Sequence, residues 1–378
     1  MGRRVVVTGT GIVSAQGEGI GPHLDALASG AKAPVGAEKY SGYPVHPAVA
    51  LEWDRQIPKK SDQRQMEPWQ RLGCYAAGLA LDAAGLKDDT ALKARTQLIV
   101  AAGGGERDYE VDSQILTGMR DSASPGAYLN EHLMSDLRPT LFLAQLSNLL
   151  AGNISIVHGI TGASRTFMGE EQAGIDALRI AAARIAAGQV EIMLVGSSYN
   201  AERPDVMLTY ELGGYYWNRP FAPVRERSAA ERGGFILGSG AAFLVLESEE
   251  HAQARGAKPL ADLASIGAVR TRRAPGSVAA AVEQLWRGLG AVSPDIVLSA
   301  ATGVAPATME EHDTLARLAP DARVHDLGDL LGHLMEAPAP AGAVIATGLV
   351  ASVAAREVVT SCVGHRRGEG MVRITAPR

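Results

Sequence analysis

Several short runs in this chain are rich in β-branched and apolar residues and lack the polar alternation of a half-exposed strand. They lie at residues 4–8, 97–102, 192–196 and 296–298, and a further strand is expected near 372–374. The first ends in Gly9-Thr10-Gly11 and the second in Gly103-Gly104-Gly105, so each feeds a tight turn. A run of this kind reads as a strand buried on both faces. Between the runs lie segments of helical period at residues 20–29, 69–86, 278–289, 310–318 and 341–355. Residues 173–187 carry Ile175, Leu178, Ala182 and Ile185 on one side and small alanines elsewhere, which predicts a helix packed on several sides. Strands alternating with helices require an α/β architecture whose sheets are covered by helices. A Gly-punctuated strand pair is expected over 233–247 and a short charged helix over 249–255. No low-complexity linker separates the two series of elements, so the halves are fused rather than tethered.

At 378 residues the chain can bury one large core or two fused ones. Aromatic residues make up 5%, so that core is built from Ala, Val, Leu and Ile. The net charge of −5, with no basic run, argues against nucleic acid as a partner. Cys74 and Cys362 are too few for a disulfide framework and fit a reducing cytoplasm. The opening residues lack the apolar segment of a signal peptide. Residues 341–355, the longest apolar stretch, are too short and Gly-rich to span a bilayer. A cytoplasmic protein without membrane attachment is expected.

Residues 162–174, Gly-Ala-Ser-Arg-Thr-Phe-Met-Gly-Glu-Glu-Gln-Ala-Gly, precede the long helix and then the strand at 192–196. Such a helix start suits a nucleophile: the dipole lowers a thiol's pKa, and free N–H groups bind an oxyanion. No Cys lies in this segment.

Longer blocks give this frame a family. Residues 219–247, Arg-Pro-Phe-Ala-Pro-Val-Arg-Glu-Arg-Ser-Ala-Ala-Glu-Arg-Gly-Gly-Phe-Ile-Leu-Gly-Ser-Gly-Ala-Ala-Phe-Leu-Val-Leu-Glu, resemble the "RPFD…RDGFVxGEGAGxLVLE" block of the β-ketoacyl-[acyl-carrier-protein] synthases. Residues 249–257 continue it as that family's "EHAxxRGA" helix. The opening Val5-Val-Val-Thr-Gly-Thr-Gly-Ile-Val-Ser14 is similar to its first strand and turn. Gly332-His333-Leu334 with Ala341-Gly342-Ala343 sits where it has "GHxxGAAGxxG". The resemblance covers nearly the whole chain. It implies a thiolase-like α/β fold: two fused βαβαβ-type halves, 1–248 and 249–378, forming a five-layered αβαβα core. The strand near residues 165–168 is then expected to pair with its twin across a dimer.

The resemblance also assigns the reagents. Such synthases hold the acyl chain on a Cys, use two His residues in decarboxylating a malonyl unit, and support one His with a Lys. Counted without gaps, the Cys position is Glu171, the first His is Ala301, the Lys is Gly328, and the second His is retained as His333. The family's "NSFGFGGTN" loop reads Ser361-Cys362-Val363-Gly364-His365-Arg366-Arg367-Gly368-Glu369, so His365 replaces the gating Phe and Arg366-Arg367 the glycine pair. No catalytic residue is expected, and no cofactor or metal.

A synthase frame without its reagents resembles the chain-length factors of type II polyketide systems. These form heterodimers with an active, Cys-containing ketosynthase and meet the acyl carrier protein through that complex. Glu171 departs from the Gln usual in such subunits, which suggests a divergent branch making a reduced polyene. The resemblance assigns Leu141, Phe142 and Leu143 to the tunnel floor; ordinary core packing is the alternative. Glu171 is a plug, with Arg366 as its expected counter-charge, a decarboxylation aid, or a drifted position. His333 is a residual catalytic group or a buried relic. Cys362 is a displaced nucleophile or a packed thiol. His365, Arg366 and Arg367 contact phosphopantetheine or form a surface charge cluster. Two further functions stay open: a malonyl-carrier-protein decarboxylase that makes an acetyl primer, and a homodimeric scaffold that docks carrier proteins.

Overall fold

A computed structural model describes residues 2–36, 40, 42–136, 143 and 145–378. Apart from a two-residue strand, Gly17–Glu18, at one side, its main sheet is assembled among the described residues from two sets of five strands. The first set is β1 (Val5–Ser14), β2 (Gln97–Ala101), β3 (Ser164–Phe167), β4 (Ile192–Tyr199) and β5 (Gly240–Ser248). The second is β6 (Ala261–Val269), β7 (Ile296–Ser299), β8 (Arg323–Asp326), β9 (Glu357–Val363) and β10 (Glu369–Thr375). Spatial order is β3-β2-β4-β5-β1 in the first and β8-β7-β9-β10-β6 in the second, so the same order is used twice. Directions repeat as well: β2 is parallel to β3 and β4, β7 to β8 and β9, and the other neighbours are antiparallel. The sets meet where β1 pairs β6 through Val6↔Asp262 and Val7↔Ala261.

Helices fill the layers as the apolar patterns require. On the outer face of the first set lie α1 (Pro68–Ala83) and α2 (Leu149–His158), which bury Tyr75, Ala76, Leu81, Leu150 and Ile154 against β1, β4 and β5. Between the sets run α3 (Glu170–Ala186) and, near the end of the chain, Pro338–Ala351. Helix α4 (Pro204–Leu212) lies at the edge of the site. On the outer face of the second set are α5 (Ser277–Gly288) and α6 (Ala307–Leu318), around Val282, Leu285 and Leu315. The Pro338–Ala351 helix is α7, and it is buried from Pro338 to Val350. The result is the expected α/β fold with helices outside and between the sheets. Among the described residues no helix is long and apolar enough to cross a membrane.

The central helices approach closely because they are built from small residues. A Cβ on Gly174 of α3 would lie 2.2 Å from the backbone oxygen of Glu336, and one on Gly342 of α7 would lie 2.3 Å from Thr360 Cγ2. One expected feature changes. The segment 233–247 is not a strand pair: β5 is one continuous strand, and Leu237–Gly238 is a separate piece beside Val45–His46. Gly238 is there for contact rather than turning, since a Cβ on it would lie 2.0 Å from Leu331 O.

Candidate functional site

Strand β3 ends at Phe167 and α3 begins three residues later, so the chain turns sharply. Gly169 takes φ 133° and Glu170 φ 51°. A non-glycine residue in the left-handed region costs of order 1 kcal/mol or more, so the surrounding structure holds this turn in place. Successive residues on a helix point about 100° apart. Glu170 therefore faces outward, and Glu171 faces inward and is 1% exposed.

Glu171 is met there by two histidines. Its Oε1 accepts from the His365 backbone N–H at 3.1 Å and from His365 Nδ1 at 2.8 Å. His333 Nε2 lies 3.0 Å from the same oxygen. Burial alone would raise the carboxyl pKa, but the charge of His365 and hydrogen bonds from His333 and His365 outweigh it and hold Glu171 well below the usual range. The second oxygen, Oε2, is buried without a hydrogen-bond partner among the described residues. Aromatic rings fix both imidazoles. Phe235 lies 4.8 Å from His333, and Tyr215, Tyr210 and Phe235 lie 4.7, 5.5 and 5.5 Å from His365.

The expected Glu171–Arg366 pair is replaced by another. Arg366 Nη2 donates to Glu170 Oε1 at 2.6 Å, with Tyr210 Oη donating to that oxygen at 3.3 Å. The reason is the helix start: the exposed arginine can reach only the outward-facing carboxylate. Arg367 is exposed. Cys362 is 1% exposed on β9, and burial raises its thiol well above the ordinary value. A nucleophile needs the opposite, so Cys362 is a packed thiol. Cys74 is likewise buried and raised.

The two positions emptied of reagents lie side by side. A Cβ on Gly328 would sit 3.2 Å from Ala301 O and 2.8 Å from Val224 Cγ2, so a lysine there would have to displace Val224. Beside them is Arg227, 1% exposed, whose Nη1 donates to Gly234 O at 2.7 Å. Burial lowers its pKa to about 10. Leu143 is 43% exposed. Leu141 and Phe142 lie outside the described residues.

Two carboxyls at this site were missed by sequence reasoning. Glu336, 5% exposed, follows Met335, which takes φ 50°. Burial is the main cause that raises its pKa to about 7, with the charges of Glu171 and Glu170 adding to it. Glu106 is also raised to about 7, again chiefly by burial, although Trp69 N–H and Asn200 Nδ2 donate to it. Glu336 lines a cavity of about 220 Å³ with Trp69, Gly103, Tyr199, Arg203 and Tyr210. Gly103, expected only to turn the chain, leaves room for that carboxylate: a Cβ on it would lie 2.4 Å from Glu336 Oε1. A signal for Glu336 was present, because the "GHxxGAAGxxG" pattern has glycine where this chain has Glu336.

Comparison with known proteins agrees with this frame. The family model "Beta-ketoacyl synthase, N-terminal domain" matches residues 2–252. The 3-oxoacyl-[acyl-carrier-protein] synthase 2 of Vibrio harveyi is 30% identical over 271 residues, 70% of this chain and 62% of that enzyme. The oxytetracycline polyketide putative β-ketoacyl synthase 1 of Streptomyces rimosus is 29% identical over 274 residues, 69% of this chain and 61% of that protein. The chain thus spans less than two thirds of the length of these curated relatives. Among solved structures, the ishigamide ketosynthase/chain length factor superposes with a TM-score of 0.80 at 20% identity, covering 100% of both chains. A type II polyketide carrier protein in complex with its ketosynthase, bound to the hexaketide, gives 0.77 at 18%, again covering 100% of both chains. At these identities the structural likeness concerns the fold.

Proposed function

Because the chain belongs to the β-ketoacyl synthase family, we propose that it is a non-catalytic, chain-length-factor-like subunit that pairs with an active, Cys-containing ketosynthase and shapes its acyl tunnel. One observation carries this reading. The nucleophile position holds a buried carboxylate tied to two histidines. An acyl chain cannot be held as a thioester there, and both described thiols are buried. The absence of His at 301 and Lys at 328 supports the same reading, since condensation needs groups to stabilise the developing charge.

The sheet edge supports pairing. Strand β3 ends the order at one side, and its Ser164 and Arg165 are exposed, leaving a ladder open to a partner's strand. The likeness in fold to the ishigamide ketosynthase/chain length factor supports such a pairing. On this reading, acyl carrier protein is met through the complex, and chain extension belongs to fatty-acid or polyketide assembly, with a reduced polyene as the product class. The division into halves at 248/249 is part of the same reading.

Native mass spectrometry of the chain co-expressed with a Cys-containing ketosynthase from the same genome tests the pairing. A one-to-one complex is expected. A homodimer that excludes the synthase refutes it, and carbon dioxide release from malonyl-carrier protein by that homodimer, lost in His333→Ala, would establish the decarboxylase instead. Within the complex, Leu141→Ala, Phe142→Ala or Leu143→Ala should lengthen the product. Unchanged length in all three refutes the tunnel assignment alone.

A further inference from the structure

Glu171, His333 and His365 each offer one ligand atom, and these atoms all lie within 4.8 Å of one another. From the arrangement of these three side chains we infer that the emptied nucleophile site is a binding site for a single divalent first-row transition-metal ion, of the zinc type. This goes beyond tunnel shaping and does not depend on it.

Several observations carry the inference. The donor set, two imidazoles and one carboxylate, is the one that zinc and its neighbours in the series accept. The spacing is nearly that of a coordination shell. Ligands about 2.1 Å from a tetrahedral ion stand about 3.4 Å apart, and Glu171 Oε1 lies 2.8 Å from His365 Nδ1 and 3.0 Å from His333 Nε2. A small outward movement of the two rings opens the space.

One buried polar atom at this point is unpaired: Glu171 Oε2 has no hydrogen-bond partner among the described residues, while His333 Nε2 and His365 Nδ1 both converge on the other oxygen of the same carboxylate. An atom of this kind is costly to bury unless something binds it. Finally, the rings are held from behind by Phe235, Tyr210 and Tyr215, a rigid surround that keeps ligand directions fixed. Tyr210, which packs on His365, also lines the neighbouring cavity with Glu336.

The test uses the full-length chain, purified with whatever subunit it retains. It is stripped with a chelator, dialysed against zinc or cobalt(II), and assayed for metal by mass spectrometry. One ion per chain is expected, and the cobalt form should show the visible bands of a four- or five-coordinate N/O site. Glu171→Ala, His333→Ala and His365→Ala should each weaken binding by roughly tenfold or more. His132→Ala, at the remote His132–Asp136 surface pair, should leave it unchanged. If a single variant fails to fold, the cobalt spectrum and the zinc-dependent rise in the wild-type melting temperature decide. No stoichiometric metal, an octahedral cobalt spectrum, or metal content unchanged in the folded His333→Ala/His365→Ala double variant overturns the site. Metal content and subunit pairing are read separately, so either result stands if the other fails.

Discussion

Replacing Glu336 by Gln should stabilise the protein at high pH and not at low pH. Glu336 is 5% exposed, and burial, reinforced by the charges of Glu171 and Glu170, raises its pKa from 4.5 to about 7. The sign follows from which state holds the proton. Below pH 4.5 the carboxyl is protonated whether the chain is folded or not, and its pKa shift costs nothing. Between 4.5 and about 7 the unfolded chain has released the proton and the folded chain still binds it, so stability falls as pH rises through this window. Above about 7 the loss is complete. Each tenfold difference in proton affinity is worth about 1.4 kcal/mol, so the window from 4.5 to about 7 amounts to about 3 kcal/mol. Gln fills nearly the same space and does not titrate. Urea unfolding of both proteins at pH 4.5 and pH 8 should therefore show Glu336→Gln gaining about 3 kcal/mol between the two conditions. With an unfolding entropy of about 2.1 cal/mol/K per residue over 378 residues, that gain raises the melting temperature by about 4 °C. Glu106, with the same raised pKa, is present in both proteins and cancels. Parallel pH curves for wild type and variant would refute the reasoning and show that Glu336 ionises freely in the fold.

Other substitutions probe the site and its support. Glu171→Cys restores the thiol but not the groups absent at Ala301 and Gly328, so the isolated chain should form no condensation product from acyl and malonyl carrier proteins; measurable product would show that those groups are dispensable. Gly174→Ala drives a Cβ to 2.2 Å from Glu336 O and should cost about 1–3 kcal/mol by urea unfolding, whereas an unchanged midpoint would mean that α3 and α7 yield at this contact. Glu247, 0% exposed, accepts from Arg255 Nη2 at 2.5 Å, from His251 Nδ1 at 2.7 Å and from Thr8 Oγ1. Glu247→Ala leaves Arg255 without its carboxylate and should cost about 3–5 kcal/mol on the same assay, and a loss under about 1 kcal/mol would show that water replaces it.

What the sequence revealed depended on burial. Strands β1, β2 and β4 are read directly because both faces are covered and the chain is apolar throughout. Strand β8, Arg323-Val-His-Asp326, went unread because it is an edge with a polar sequence, and only its parallel partner β7 defines it. The glycines of 233–247 suggested a strand pair because a glycine kept for close contact, such as Gly238, and one kept for a positive φ are the same letter. Ungapped counting placed Glu171 at the nucleophile position, but its partner was misjudged. Arg366 and His365 are adjacent in sequence, and only the direction of each side chain decides that His365 points in and Arg366 points out. Glu336 and Glu106 were missed because neither lies at a position where the family keeps a reagent. Glu336 matters through the cavity it lines, and a cavity is formed by segments far apart in sequence.

The repeated strand order also brings two helix entries together. In both, a non-glycine residue takes a left-handed turn, Glu170 as the first residue of α3 and Met335 three residues before α7, and in both the next residue is a buried glutamate, Glu171 or Glu336. The starts of α3 and α7 meet where Gly174 packs on Glu336. Two positive poles of aligned peptide dipoles thus converge on one spot. That field belongs to the backbone, so it remains after a nucleophile is lost. It persists whatever side chain stands there, although at Glu336 burial and the neighbouring carboxylates outweigh it.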